Sequence, residues 1–179
     1  TETPVRAHGE VSTMPAVPYA RLILSPTFIG CCVATFGAYW ALSLGLTWFT
    51  PFLVKGLGFS QNHAGLISIT PWIFGACIVL LSGFVSQLLM GYGASTRLAR
   101  GVLGAAPLVV GGLILMLMPV VESTGLRVVL LVLGSGICGS IYVVCPAMIA
   151  EFTPTAQRGA MIALYGALYT LAGVAAPYV

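Results

Sequence analysis

The sequence predicts an all-α, polytopic membrane protein, and three observations lead to that prediction. Of the 179 residues, 59% are hydrophobic and only 6% are charged, and the mean hydropathy is +1.04. A soluble domain carries roughly 25% charged residues, so this chain could not cover a water-exposed surface. The apolar residues form five long runs that contain no Lys, Arg, Asp, Glu or His. The solvent predicted for this chain is therefore lipid.

Each apolar run is long enough to cross a bilayer as a helix. About 20 apolar helical residues span roughly 30 Å of hydrocarbon, where a helix satisfies its own backbone hydrogen bonds. Strands of an outer-membrane barrel would instead place a polar residue at every second position. We therefore predict a transmembrane helical domain over 27–179, with five spans at about 27–54, 64–90, 102–121, 128–150 and 159–179.

The segment 1–26 is polar and rich in proline, and it lacks the short apolar core of a signal peptide. It is predicted to be a linker that follows an upstream part of the protein. The fifth run reaches Val179 without a polar flank. We therefore expect the chain to be truncated at both ends.

Arginine and lysine positions predict the orientation, because positive residues in short loops stay on the cytoplasmic side. With the linker inside, five basic residues are cytoplasmic and two, Lys55 and Arg127, are outside. We therefore predict that the linker is cytoplasmic. The localisation we expect for this integral membrane protein is a bacterial cytoplasmic (inner) membrane. A cysteine placed at Asn62 should react with an impermeant reagent from outside, and one at Ser95 should not.

Signatures of other functional classes are missing from the sequence. It contains no HExxH, no GxSxG and no Walker loop, and both histidines lie outside the apolar runs. The five cysteines form no CxxC pair, so they are interpreted as packing residues, and no metal site or cofactor is predicted. The basic residues are too sparse to follow a nucleic-acid backbone. We predict a protein that is not an enzyme.

A row of polar residues marks the first span. Thr35, Tyr39, Ser43 and Thr47 recur every four residues, a spacing that drifts by about 40° per step and keeps them on one slowly turning stripe. Facing a cavity, the stripe could hydrogen-bond a polar solute, and Tyr142 in the fourth span could add another hydroxyl. The alternative is that these hydroxyls bond to their own helix or to a neighbouring helix.

The loop between the second and third spans carries glycines and arginines that suit a tight cytoplasmic hairpin. Its candidate conformational residues are Gly83, Gln87, Arg97 and Arg100. A simple positive-inside loop is the alternative interpretation.

The loop between the fourth and fifth spans reads EFTPTAQRG. Pro154 is expected to break the helix there because it has no backbone N–H to donate. Glu151 and Arg158 lie at the predicted water boundary, so we interpret them as anchors and a loop salt bridge and not as a reaction centre. Arg158 and Gly159 are expected to begin the next helix. Thr153 or Thr155 could cap the following helix.

The fourth span contains GSGICGSIYVVCPA, in which small residues stand four apart. Such spacing lets two helices approach closely, so a packing role is predicted. Pro146 predicts a kink or a local opening of the hydrogen-bond ladder.

Taken together, these segments resemble the major facilitator superfamily. SGFVSQLLMGYGASTRLARG resembles the loop after its eighth helix, and EFTPTAQRGAMIALYGALYTLAGVAAPYV resembles its tenth-to-eleventh loop and eleventh helix. TWFTPFLVKGLGFSQNHAGLISITPWIFGA is similar to the seventh and eighth helices of its anion:cation symporter branch. Where that loop usually has Asp followed by Arg, this chain has Gln87 and Leu88, so a charge clamp cannot form there.

The resemblance implies most of the second six-helix half of a twelve-helix transporter that works by alternating access. It also implies that the first and fourth spans line a central cavity, with a small organic anion as substrate and proton coupling. The coupling carboxylate would then lie in the missing N-terminal half. Two alternatives remain open: a facilitator or efflux transporter of a neutral or hydrophobic solute, and a non-transporting membrane scaffold or sensor.

Overall fold

The computed structural model describes residues 17–93 and 96–178, and for 96–100 it describes the backbone alone. The described residues contain five helices that are long and apolar enough to cross a membrane. These helices are Pro26–Gly56, Gln61–Gly91, Gly101–Val120, Thr124–Phe152 and Thr155–Tyr178. The predicted all-α, polytopic architecture is confirmed, and each predicted span overlaps one of these helices.

Seven α-helices make up the described structure: α1 (Tyr19–Ile23), α2 (Pro26–Pro51), α3 (Gln61–Gly91), α4 (Thr96–Leu117), α5 (Thr124–Ile137), α6 (Ile141–Phe152) and α7 (Arg158–Ala175). A π-helical turn, Phe52–Gly56, extends α2, and a 3₁₀ turn, Cys138–Ser140, joins α5 to α6 within one span. Further 3₁₀ turns are Thr155–Gln157 and Ala176–Tyr178. The short α1 lies within the segment predicted as a linker.

Serine caps define the starts of two spans. The Ser25 hydroxyl accepts a hydrogen bond from the Phe28 backbone N–H over 3.2 Å, and Ser60 accepts one from His63 over 3.4 Å. Each cap satisfies one of the N–H groups that the first helical turn leaves unpaired. Beyond α3, Gly93 adopts a φ of 85°, a left-handed conformation that glycine reaches without steric cost.

The helices pack in two connected groups. Helix α2 packs against α7 and α6, whereas α5 packs against α3 and α4, and α6 also contacts α4. The main buried cluster lies between α2, α6 and α7 and includes Phe28, Ile149 and Met161. Many large apolar side chains point outward instead, among them Leu80 and Met116. That distribution suits a bundle whose outer surface contacts hydrocarbon.

Small residues of the fourth span lie at close helix contacts, as predicted. A Cβ atom on Gly111 of α4 would lie 2.7 Å from the carbonyl oxygen of Gly134. A Cβ on Gly75 of α3 would lie 3.7 Å from the carbonyl oxygen of Gly136. The α-helical pattern of this span changes at the 3₁₀ turn Cys138–Ser140, whereas Pro146 lies inside the regular helix α6.

Candidate functional site

A cavity of about 780 Å³ lies between α2, α3 and the α5–α6 span, with α4 closing part of its wall. Apolar and aromatic side chains form most of the wall, including Trp48 and Trp72. None of the described residues that line it is charged. Its hydroxyl-bearing residues are Thr50, Ser68, Ser135 and Tyr142, and the two tryptophans and Cys138 add indole N–H and thiol groups. Such a site offers apolar contact area with a few hydrogen-bonding positions.

Three of these four hydroxyls already have partners. Thr50 and Ser68 hydrogen-bond each other across α2 and α3 over 2.9 Å, and Ser68 also donates to the carbonyl oxygen of Ala64. The Ser135 hydroxyl donates to the Leu131 carbonyl oxygen over 2.6 Å. The Tyr142 hydroxyl differs, because it is buried and has no hydrogen-bond partner within the described part of the chain.

Tyr142 belongs to a cluster of four tyrosine rings, contributed by α2, α6 and α7. Its ring centroid lies 6.4 Å from that of Tyr39, at an interplanar angle of 82°, and 6.2 Å from that of Tyr169. Tyr169 also packs on Tyr39 at 5.2 Å and on Tyr165 at 5.0 Å. These edge and tilted contacts are favourable for aromatic rings and hold the Tyr142 hydroxyl in position.

The predicted stripe on the first span faces in more than one direction. Thr35 is fully buried, and its Oγ1 lies 2.7 Å from the hydroxyl oxygen of Tyr165 on α7. Ser43 donates to the carbonyl oxygen of Gly173 on α7 over 3.2 Å. Thr47 is exposed and donates to the Ser43 carbonyl oxygen one turn earlier, over 3.0 Å. The alternative interpretation was that these hydroxyls bond to their own helix or to a neighbouring helix. Thr47 bonds within α2, and Thr35 and Ser43 bond to α7.

Of the five predicted substrate contacts, Tyr142 lines the large cavity. Tyr39 does not line it, but its ring packs against the ring of Tyr142. Sequence reasoning missed Thr50 and Ser68 and interpreted Ser135 only as a packing residue. Thr50 follows Thr47 by three residues, so extending the stripe by one helical turn would have found it. Ser68 gave no such signal, because its role depends on how α3 meets α2.

The loop after α6 breaks where proline predicts. Helix α6 ends at Phe152, Thr153 and Pro154 are extended, and the 3₁₀ turn begins at Thr155. Both Thr153 and Pro154 are buried. The expected threonine cap is not observed, because Gln157 occupies the N-cap position of α7 without a side-chain hydrogen bond to that helix.

The other residues predicted for the two cytoplasmic loops lie in the helices that these loops connect. Glu151 is exposed in the last turn of α6, Gly159 is exposed in the first turn of α7, and Arg158 has a buried Nε atom without a hydrogen-bond partner. On α3, Gln87 is exposed and Gly83 is half-buried. Arg97 and Arg100 lie in α4, and their side chains are outside the described part of the structure. Their conformational roles stay predictions.

The comparison with protein families decides the class of this chain. Residues 2–177 match the Major Facilitator Superfamily. The chain belongs to this superfamily. It is therefore an integral membrane protein of a transporter family rather than an enzyme, and the family implies a small-molecule substrate and a lipid bilayer around the helices.

Two relatives are similar to parts of this superfamily member. A "Probable anion transporter 4, chloroplastic" from Oryza sativa subsp. japonica is 22% identical over 121 residues, which cover 68% of this chain and 20% of the rice protein. A "D-galactonate transporter" from Escherichia coli O6:H1 (strain CFT073) is 32% identical over 80 residues, covering 45% of this chain and 19% of that protein. The matches thus span about a fifth of each relative's length.

Proposed function

We propose that this chain forms part of a secondary transporter of a small organic anion, such as a sugar acid or another carboxylate, driven by proton symport. The observation that carries a solute-binding role is that Tyr142 lines the 780 Å³ cavity while its hydroxyl is buried and has no hydrogen-bond partner among the described residues. A buried polar group without a partner costs free energy, which a bound solute or water would offset. The names of the rice and E. coli relatives support the choice of an organic anion.

In this proposal the chain binds the uncharged part of the solute. Because no described wall residue is charged, the arginine that binds the anion and the carboxylate that carries the proton belong to the other half of the transporter. The two halves would rock about a site near the bilayer midplane and open it alternately to each side. Tyr39 supports the Tyr142 ring, whereas Thr35, Ser43 and Thr47 would contact solute only after exchanging their present hydrogen bonds.

The proposed orientation places the segment before α2 on the cytoplasmic side of a bacterial inner membrane. The basis for this assignment is the predicted excess of arginine on that side. The ends of α3 and α6, which carry Gln87 and Glu151, then face the cytoplasm, where they would contact the other half during the conformational change.

The test is uptake of labelled small carboxylates by vesicles that carry the complete transporter, with and without an inward proton gradient. We expect gradient-dependent uptake of one acid. Tyr142→Phe should raise its KM by about tenfold at unchanged membrane abundance, because one hydrogen bond to the solute is lost while the ring packing remains. Tyr92→Phe is the matched control, since Tyr92 is exposed beyond the end of α3, and it should transport normally.

The outcomes separate this proposal from its alternatives. The largely apolar cavity wall favours, as the second candidate, a facilitator or efflux transporter of a neutral or hydrophobic solute. Uptake of a neutral compound at the same rate with and without the proton gradient would support that second candidate. If folded, inserted protein moves no solute in either direction, the protein is instead a membrane scaffold or sensor.

A further inference from the structure

Gly173 of α7 lies directly against the ring of Tyr39 on α2. A Cβ atom at position 173 would lie 2.6 Å from Tyr39 Cε1 and 3.4 Å from Cδ1 of the same ring. Carbon atoms in contact stay about 3.5–4.0 Å apart, so a residue with a side chain fits there only if the ring moves. Nothing in the sequence alone points to this contact, because it joins two spans that are far apart in the chain.

The backbone of Gly173 is also held against α2. Its carbonyl oxygen accepts the hydrogen bond from Ser43, which lies one helical turn after Tyr39. The neighbouring Ala172 and Ala176 are fully buried, so this face of α7 is closely packed. Helix α7 therefore cannot move away from α2 without losing the Ser43 hydrogen bond. A methyl group at position 173 should displace the Tyr39 ring instead.

The Tyr39 ring connects Gly173 to the large cavity. Its centroid lies 6.4 Å from that of Tyr142, which lines the cavity, and 5.2 Å from that of Tyr169. Tyr169 packs in turn on the Tyr142 ring at 6.2 Å. The three rings contact one another pairwise, so a displaced Tyr39 ring cannot keep its present contacts with the other two. The position of the Tyr142 hydroxyl therefore depends on the space that Gly173 leaves.

We propose that Gly173 is a positioning residue for solute binding in the large cavity. The inference rests on the proposed function, in which the Tyr142 hydroxyl bonds the solute. Gly173 is not among the described residues that line the cavity, so it acts through the Tyr39 ring. Hydroxyl groups form hydrogen bonds over only about 2.5–3.0 Å, so a ring shift of about 1 Å removes such a bond.

Uptake kinetics of the complete transporter in vesicles test the role of Gly173. For labelled small carboxylates, Gly173→Ala should raise KM about tenfold, as Tyr142→Phe does, while the maximal rate and the membrane abundance stay unchanged. Gly166→Ala is the matched control, because it adds the same methyl group two turns earlier on the same face of α7. A Cβ there meets nothing within 4 Å, so KM should equal that of the unmodified protein.

Two double variants show whether Gly173 acts through the named rings. In a Tyr142→Phe background, Gly173→Ala should change KM no further, because the hydroxyl is already absent. Tyr39→Leu alone should raise KM about tenfold, and adding Gly173→Ala should again change nothing, because the methyl group then meets no ring. The Tyr39→Leu pair also covers the case in which Gly173→Ala alone does not fold. Effects that multiply in either background would overturn the proposal, as would an equal rise of KM in Gly166→Ala.

Fluorine NMR distinguishes failure of this inference from failure of the proposed function, because it requires no transport. With Tyr142→fluorotyrosine in the complete protein in lipid nanodiscs, Gly173→Ala should shift the fluorine resonance, and Gly166→Ala should leave it in place. A shift in protein that takes up no carboxylate would support the positioning role and contradict the proposed function alone. An unmoved resonance in Gly173→Ala would overturn the positioning role, whatever the uptake measurements show.

Discussion

The side-chain amide of Gln157 pairs with both backbone polar groups of Val17. The Val17 N–H donates to Gln157 Oε1 over 3.0 Å, and Gln157 Nε2 donates to the Val17 carbonyl oxygen over 2.7 Å. Gln157 is buried, and it lies in the 3₁₀ turn before α7. The segment that enters the first span is thereby fixed to the loop between the fourth and fifth spans.

Replacing Gln157 by Ala should release this segment. Two hydrogen bonds are lost, each contributing about 0.5–1.5 kcal/mol, so we expect the Val17 amide to exchange with solvent roughly 10- to 100-fold faster. Hydrogen exchange of a peptide that contains Val17 measures the effect. Gln87→Ala is the control, because Gln87 is exposed on α3. Unchanged exchange in Gln157→Ala would mean that other contacts hold the segment.

The bond between Thr35 and Tyr165 should appear as coupling between α2 and α7. In a double-mutant cycle with Thr35→Val and Tyr165→Phe, we expect an interaction free energy of about 0.6–1.5 kcal/mol, typical of hydrogen bonds within membranes. The free energy of unfolding in bicelles provides the measurement. Thr170→Val combined with Tyr165→Phe is the control pair, and its effects should add, because Thr170 bonds only within α7. Additive effects for Thr35 and Tyr165 would contradict the prediction.

A methyl group on Gly111 should disturb the contact between α4 and α5. Its Cβ would lie 2.6 Å from Cys138 Sγ and 2.7 Å from the Gly134 carbonyl oxygen, and backbone atoms cannot rotate away. We expect Gly111→Ala to lower the free energy of unfolding by about 1–3 kcal/mol. Gly112→Ala is the matched control, because a Cβ there meets nothing within 4 Å. Equal stability of the two variants would show that the helices can separate without cost.

The predicted orientation can be tested at two exposed positions on opposite sides of the bundle. Asn62 lies in the first turn of α3, and Ala156 lies in the 3₁₀ turn before α7. In intact cells, an impermeant thiol reagent should label Asn62→Cys and should label Ala156→Cys only after the membrane is opened. The reverse labelling pattern would show that the orientation is opposite to the predicted one. Labelling of both cysteines in sealed cells would show that the two positions do not lie on opposite sides of the membrane.

The sequence by itself determined that the described part of this chain contains five membrane-spanning helices and that the chain resembles the major facilitator superfamily. Lipid explains why so much could be predicted, because each span must be apolar and must satisfy its own backbone hydrogen bonds. The break at Pro154 was equally predictable, since proline acts locally through its missing N–H. These properties depend on residues that are close together in the chain.

Only the tertiary structure decided which polar groups line a cavity and which join helices. Thr35 lies on the predicted stripe but bonds to Tyr165, 130 residues later, and Ser43 bonds to the backbone of α7. Cys31 and Cys145 likewise belong to one buried cluster because α2 packs against α6. The physical reason is that the spacing of residues along a helix determines the direction in which each side chain points. Packing against the other helices then determines which groups each side chain contacts.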